Sequence, residues 1–302
     1  MLIVLSDKSN KIAYLYLLIT FTAWGSLYVV SKFVLGKVPT FTTSFIRSAI
    51  AAIVLNIALK QRKVAKISPE DYKYIFIIGF FGYFISMGTQ FIGTKLTNAS
   101  LASLINSMNP ITITLLASLI LKEKISPRNV ISILVLLIGV RILIGDINDN
   151  VYIGGILFSL LSVFIWSLVS VLIRKVTRKY NPIQITAYGI TMGAVFNLPV
   201  SMYEIYTTPD IEFDAGVIIA TIYMGLVCTA LAHLLWNKSL SMLDAGVCSL
   251  FYPIQPLVAT LLGIIFLNEA INKNFIIGGL LIVGAVVFNI IGNVKRANSA
   301  SR

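Results

Sequence analysis

Apolar residues run along the chain in ten stretches separated by short polar or charged clusters: 12–34, 41–59, 73–93, 98–121, 128–144, 152–173, 181–203, 215–237, 244–267 and 274–292. A hydrocarbon core about 30 Å thick is crossed by about 20 residues of helix, so each stretch predicts a membrane-spanning helix. None shows the sustained period-two alternation of a membrane β-barrel strand. Some turns are very short, as at Gly36-Lys37-Val38-Pro39-Thr40, so neighbouring helices must run antiparallel.

Composition narrows the picture further. Of the 302 residues 57 % are apolar and 12 % charged, against about 25 % charged in an ordinary soluble domain. Much of the surface therefore faces lipid, and both a soluble domain and intrinsic disorder are excluded. The formal net charge is +12, from 24 Lys and Arg against 12 Asp and Glu. The cations sit between apolar runs rather than in one aromatic-interleaved patch, which argues against nucleic acid and for a topology signal. With the N-terminus placed inside, eighteen Lys and Arg fall on the inner face and three on the outer. Basic loops stay cytoplasmic, so both termini are expected in the cytoplasm of a multi-pass protein of the cell membrane. The order of a cleavable signal peptide is missing from Met1 to Lys8, so the first helix is expected to be retained.

The chain also repeats itself. Sliding it by 146 positions matches thirteen of the 42 residues 99–140 without a gap, including Ala99/Ala245, Ser103/Ser249, Pro110/Pro256, Thr114/Thr260 and Glu123/Glu269. Upstream, Trp24 pairs with Trp166 and Lys32 with Arg174 at an offset of 142. Two five-helix units are expected, 11–145 and 151–293. A unit with an odd number of crossings enters and leaves on opposite sides, so the second copy must be inverted. The expected fold class is all-α integral membrane: ten transmembrane helices as two inverted five-helix repeats, a plan used for alternating access with a site near midplane.

Three features carry a family resemblance. Trp24-Gly25-Ser26 in the first helix is followed by Pro39 and Arg47; a mid-span Pro precedes an acid past the helix end twice (Pro110 with Glu123, Pro256 with Glu269); and Gly139, Gly278, Gly279 and Gly284 punctuate the fifth and tenth helices. In these the chain resembles the drug/metabolite transporter superfamily, in its ten-helix EamA-like branch, over about residues 11 to 293. The resemblance implies a non-enzymatic secondary transporter exporting small metabolites, above all amino acids or related compounds, with no cofactor. Its implied partners are a small-molecule substrate and the lipid bilayer, with no nucleic acid and no obligatory protein partner, as monomer or homodimer. A nucleotide-sugar or sugar-phosphate carrier is the alternative within the superfamily, and a non-transporting membrane sensor or enzyme the alternative from another class.

Candidate site residues follow from polar and aromatic positions inside the spans. All twelve acids lie at helix ends or in loops, so the mid-membrane carboxylate of a proton relay is missing. Facilitated efflux or exchange is therefore expected. The candidates are Trp24 and Tyr28; Tyr83 and Gln90; Asn106 and Asn109 beside Pro110; Trp166 and Ser170; His233 and Trp236; and Tyr252 and Gln255 beside Pro256. Pro110 and Pro256 are expected to kink their helices mid-span and free backbone carbonyls toward a pathway. Arg47, Glu123 and Glu269 are expected in structural or gating roles with the two prolines. Lys32 and Arg141 are expected to snorkel to the headgroups. Gly189 and Gly193 are expected to pack within the bundle. Cys228 and Cys248 read as packing residues, and one histidine without a CxxC leaves no zinc site. Gly88 to Lys95 resembles a phosphate loop only by chance, with its lysine one place late.

Overall fold

A computed structural model of the chain describes residues 2–97, 99–144 and 153–267, with scattered positions between 273 and 288. The described residues form helices joined by turns and short irregular loops, with no strand among them. The elements are α1 (Leu2–Leu35), α2 (Thr40–Lys60), α3 (Pro69–Leu96), α4a (Ala99–Asn106), α4b (Asn109–Leu121), α5 (Pro127–Ile144), α6 (Ile153–Thr177), α7 (Pro182–Thr207), α8 (Ala215–Met242), α9a (Ala245–Ser249) and α9b (Ile254–Leu267). Seven helical stretches are long and apolar enough to cross a membrane, and Asn109–Leu121 and Pro127–Gly139 are shorter apolar helices. Glu269 and most of the tenth predicted span lie outside the described residues. Large apolar side chains such as Leu119, Ile153 and Phe266 stand on the outside of the bundle, as lipid-facing positions should.

The fourth and ninth spans differ from expectation. Pro110 and Pro256 do not kink continuous helices. The chain breaks first, at Ser107-Met108 and at Leu250–Pro253, and each proline stands in the first turn of the helix that follows. A first-turn position needs no N–H, so proline is tolerated there where it would disrupt a helix interior. Polar side chains start other helices. Glu204 accepts from Thr42 N at 2.7 Å, Asn181 Oδ1 from Ile183 N at 3.2 Å and Asp214 Oδ1 from Val217 N at 2.8 Å, satisfying orphan amides at the starts of α2, α7 and α8.

The duplication read from sequence reappears in the element boundaries. At an offset of 142, Leu35 corresponds to Thr177 and Thr40 to Pro182; at 146, Pro69 corresponds to Ala215, Leu96 to Met242, Ala99 to Ala245 and Leu121 to Leu267. The change of four residues is absorbed where α7 runs past the counterpart of the end of α2. Packing crosses between the halves. α1 lies against α8 and α9b, α6 lies against α3 and α4b, and α2 lies against α7. Each half therefore supplies the partner of the other's first helix.

Individual contacts repeat as well. The α3 segment Ile78–Ser86 and the α8 segment Met224–Leu231 are both π-helical, and 78 and 224 are equivalent positions. A glycine follows in each: a Cβ on Gly79 would come within 2.5 Å of Met192 Cβ in α7, and one on Gly225 within 2.8 Å of Ile50 Cβ in α2. Met192 and Ile50 are themselves 142 apart. Ser162 Oγ of α6 donates to Ser86 O at 2.8 Å, and Thr20 Oγ1 of α1 donates to Ala232 O at 3.2 Å, again equivalent pairs. Gly189 and Gly193 pack inside the bundle, where added Cβ atoms would meet the Tyr83 side chain at 2.8 and 2.5 Å.

Candidate substrate site

The π-helical segments matter because a π turn shifts the backbone bonding by one residue and often marks a functional place. In α8, Thr229 Oγ1 donates to Met224 O at 2.6 Å, five residues back, and Trp24 Nε1 from α1 donates to Cys228 O at 3.1 Å. The breaks between α4a and α4b and between α9a and α9b bring Asn106 and Tyr252 to the same place. Irregular backbone inside a membrane protein is tolerated where protein or a cavity re-satisfies it. A small central cavity of about 30 Å³ opens between these elements.

Trp24, Leu27 and Tyr28 of α1, Arg47 of α2, Met87 and Gln90 of α3, Asn106 of α4a, Trp166 of α6, His233 of α8, and Tyr252 and Gln255 of α9 line the cavity. Trp24/Trp166, Met87/His233 and Asn106/Tyr252 are repeat-equivalent pairs, so both halves furnish the wall from matching positions. Eight of the twelve sequence candidates face this space: Trp24, Tyr28, Gln90, Asn106, Trp166, His233, Tyr252 and Gln255. The other four stand behind it. Tyr83 packs against the α7 glycines; Asn109 Oδ1 accepts from Ser167 Oγ at 2.9 Å; Ser170 and Trp236 are fully buried. Leu27 and Met87 were not singled out from sequence, where an apolar side chain carries no mark of facing a cavity.

The wall is aromatic and hydrogen-bonded. Trp24 and Trp166 meet edge to face at 6.0 Å, and the His233 ring lies 5.0 Å from Trp24, 5.6 Å from Trp166 and 5.3 Å from Tyr83. His233 Nδ1 is 2.9 Å from Thr229 O. A carbonyl only accepts, so Nδ1 carries the proton. Trp166 Nε1 donates to Tyr252 Oη, and Gln90 Nε2 donates to Tyr28 Oη at 3.2 Å. Arg47 is 2 % exposed. Its Nε donates to Thr229 Oγ1 at 2.8 Å, its Nη2 approaches Met87 Sδ at 3.6 Å, and its guanidinium lies 4.9 Å from the centroid of the Phe91 ring. No carboxylate pairs with it among the described residues. None of the described His, Cys, Asp and Glu residues gather in a group able to hold a metal ion, and Cys228 and Cys248 are free and buried.

The EamA-like transporter family matches the chain twice, over residues 11–145 and 153–291. The chain belongs to the EamA-like transporter family. An uncharacterized transporter of Archaeoglobus fulgidus is 22 % identical over 92 % of this chain and 96 % of its own length. One from Clostridium kluyveri is 28 % identical over 97 % of each. The uncharacterized transporter YyaM of Bacillus subtilis is 26 % identical over 87 % of this chain and 88 % of its own. A solved crystal structure of 24 % identity superposes with a TM-score of 0.75, covering 91 % of this chain and 98 % of that one, and so has the same fold. The protein is a multi-pass membrane transporter of this family.

Above and below the cavity, this EamA-like transporter ties off its two first helices at equivalent places. Arg174, near the end of α6, donates from Nη1 to Leu240 O at 2.6 Å. It also pairs with Glu123 at 3.2 Å and Asp244 at 3.0 Å. Glu123 further takes Arg178 at 3.2 Å and the Ala245 amide at 3.0 Å. It is aimed there by Lys122, whose φ of 57° ends α4b in a left-handed turn. Burial and the nearby Asp244 push the Glu123 carboxyl above the usual carboxylate range, against the pull of Arg174. At the other end Lys32, exposed at the end of its helix, folds its ammonium onto the end of α3. Its Nζ donates to Thr94 O and Lys95 O, each at 3.1 Å, and to Thr97 O. Those terminal carbonyls have no helical partner and attract a cation. Thr94 and Leu240 are equivalent positions, so the same bond is made twice.

Proposed function

We propose that this transporter is a secondary carrier for small metabolites, amino acids or related compounds, working by alternating access between two inverted halves. In this reading both termini and the Arg174 end face the cytoplasm, the Lys32 end faces outward, and net movement is export across the cell membrane. The observation that carries it is the central cavity, walled by repeat-equivalent residues of both halves and closed off by equivalent tethers above and below. A cavity of about 30 Å³ takes about two water molecules at 10–15 Å³ each, so a substrate requires the halves to part. Relative motion of two repeats around a fixed midplane site is the physical content of alternating access.

The wall chemistry supports a small organic substrate. Indole, phenol and imidazole rings offer stacking faces, and Gln90, Asn106 and Gln255 offer amides. A sugar-phosphate carrier would call for several cations in the cavity, and the wall supplies Arg47 alone. None of the lining residues is a carboxylate, which supports facilitated efflux or exchange over proton coupling.

Purified protein in liposomes loaded with unlabelled amino acids tests the reading. The expected result is counterflow of at least one labelled amino acid, with no uphill accumulation under an imposed pH gradient. Absence of counterflow with every amino acid removes the substrate assignment, and gradient-driven accumulation removes the uncoupled mechanism.

A further inference from the structure

The repeat makes one residue of the cavity stand out. Most of its scaffold is built twice, yet Arg47 has no counterpart: position 189 at one offset and 193 at the other are both glycine. The contact that Arg47 makes does have one. Arg47 meets Thr229 in the π segment of α8, and Gly193 meets Tyr83, the equivalent of Thr229, in the π segment of α3. A glycine suffices to join helices at that place in one half. The cation in the other half is an addition to the scaffold.

It is also an incomplete one. A buried guanidinium has five donors and a full charge to satisfy. Here Nε has a hydroxyl, Nη2 has a thioether and one face has the Phe91 ring. Nη1 has no acceptor among the described residues, and no carboxylate balances the charge. An unbalanced charge in a low-dielectric site is costly, and an anion arriving from outside relieves that cost. The cavity that Arg47 lines holds no acidic side chain that could recognise an ammonium group in return.

We infer that Arg47 is the anion subsite of the cavity, and that the substrates are small monocarboxylates with an apolar or aromatic body, with or without an amino group. This rests on the carrier reading above and narrows it. The carboxylate takes two guanidinium N–H bonds, a geometry Arg is built for, while the body lies against Trp24, Trp166 and Tyr252. The α-amino group of an amino acid is tolerated rather than required.

All three tryptophans of the chain belong to this cluster, Trp24 and Trp166 on the wall and Trp236 with its ring centroid 5.8 Å from that of Trp24. Intrinsic tryptophan fluorescence of the purified full-length protein therefore reads the site directly. The probes are 3-phenylpropionate (acid only), L-phenylalanine (acid and amine), phenethylamine (amine only) and 3-phenylpropionamide (neutral). The two acids are expected to bind within about threefold of each other, and the amine and amide about tenfold or more weaker, the worth of one charge-assisted bond. Arg47→Gln is expected to bring 3-phenylpropionate down to the level of its amide and leave the amide unchanged. Equal binding of acid and amide by the unaltered protein overturns the inference without any variant being needed. So does an acid preference that survives Arg47→Gln, or chloride alone reproducing the acid's response. Acid-selective binding without counterflow in liposomes would keep the anion subsite and remove the carrier; counterflow of phenethylamine in preference to the acids would do the reverse.

Discussion

The Arg174 end and the Lys32 end of the bundle begin from the same design and finish differently. Each uses a cation near the end of a half's first helix to hold the last carbonyls of that half's third helix, Leu240 in one case and Thr94 in the other. At the Arg174 end two carboxylates join, and Glu123 comes from the opposite half, so the tether becomes a bridge between halves. At the Lys32 end the described partners are backbone carbonyls of the same half. The Lys32 end has a bridge of its own in Lys37, which pairs with Asp214 and lies 3.8 Å from Glu212 of the other half, but those side chains are 30 to 69 % exposed, whereas Arg174 and Glu123 are each only 10 % exposed. Duplication supplied two equal ends; side-chain changes buried the clasp at one of them. A carrier that must open one end at a time needs such an inequality, because identical tethers would release together.

The largest expected effect comes from cutting the clasp. Arg174→Gln leaves Glu123 half-buried beside Asp244 and should cost about 3 kcal/mol of stability, within the range for breaking a buried pair. Lys32→Gln removes bonds to carbonyls at the membrane edge and should cost about 1 kcal/mol. Thermal unfolding in detergent, followed by tryptophan fluorescence, ranks the two; equal losses would erase the contrast. Next come the glycines that the halves share. Gly79→Val and Gly225→Val each place atoms where a Cβ already lies within 2.8 Å of a neighbour, and each should cost about 1–3 kcal/mol through overpacking. Their losses should agree, since the contacts are equivalent; a large disagreement would confine the repeat to sequence.

A smaller effect concerns pH. The Glu123 carboxyl is raised above its ordinary range, chiefly by burial. The folded state then holds that proton more tightly than the unfolded chain, so its contribution is full at acid pH and lost as pH rises through the raised value. Stability should fall over that rise in the unaltered protein, and Glu123→Gln should flatten the slope. A profile unchanged by the substitution would show that another group sets it.

Much of this architecture is legible in the chain, and what is not has physical reasons. Run length and charge clusters marked the spans, because a bilayer imposes a length that sequence must meet. The offsets of 146 and 142 found in the sequence also relate bonds seen only in the structure, such as Ser162 to Ser86 and Thr20 to Ala232. The π segments left no mark, because an extra backbone residue in a helix has no side-chain signature. Pro110 and Pro256 were placed correctly along the chain and misread in role: a proline shows where a helix cannot continue, and here the break falls just before it. Of the two candidates in the third span, Gln90 faces the cavity and Tyr83 the α7 glycines, a division that residue type alone does not reveal. Arg47 was visible as a charge inside a span, whereas its lack of a carboxylate partner is a property of three dimensions.

The unequal ends are tested most directly by distances across both of them in one molecule. Spin labels at Lys124 and Lys179 report on the Arg174 end, and labels at Lys95 and Phe266 on the Lys32 end, with Cys228 and Cys248 buried out of reach. In lipid, Arg174→Gln should lengthen the first distance and shorten the second relative to the unaltered protein. Two distances that lengthen together, or neither moving, would contradict an alternation governed by the Arg174 clasp.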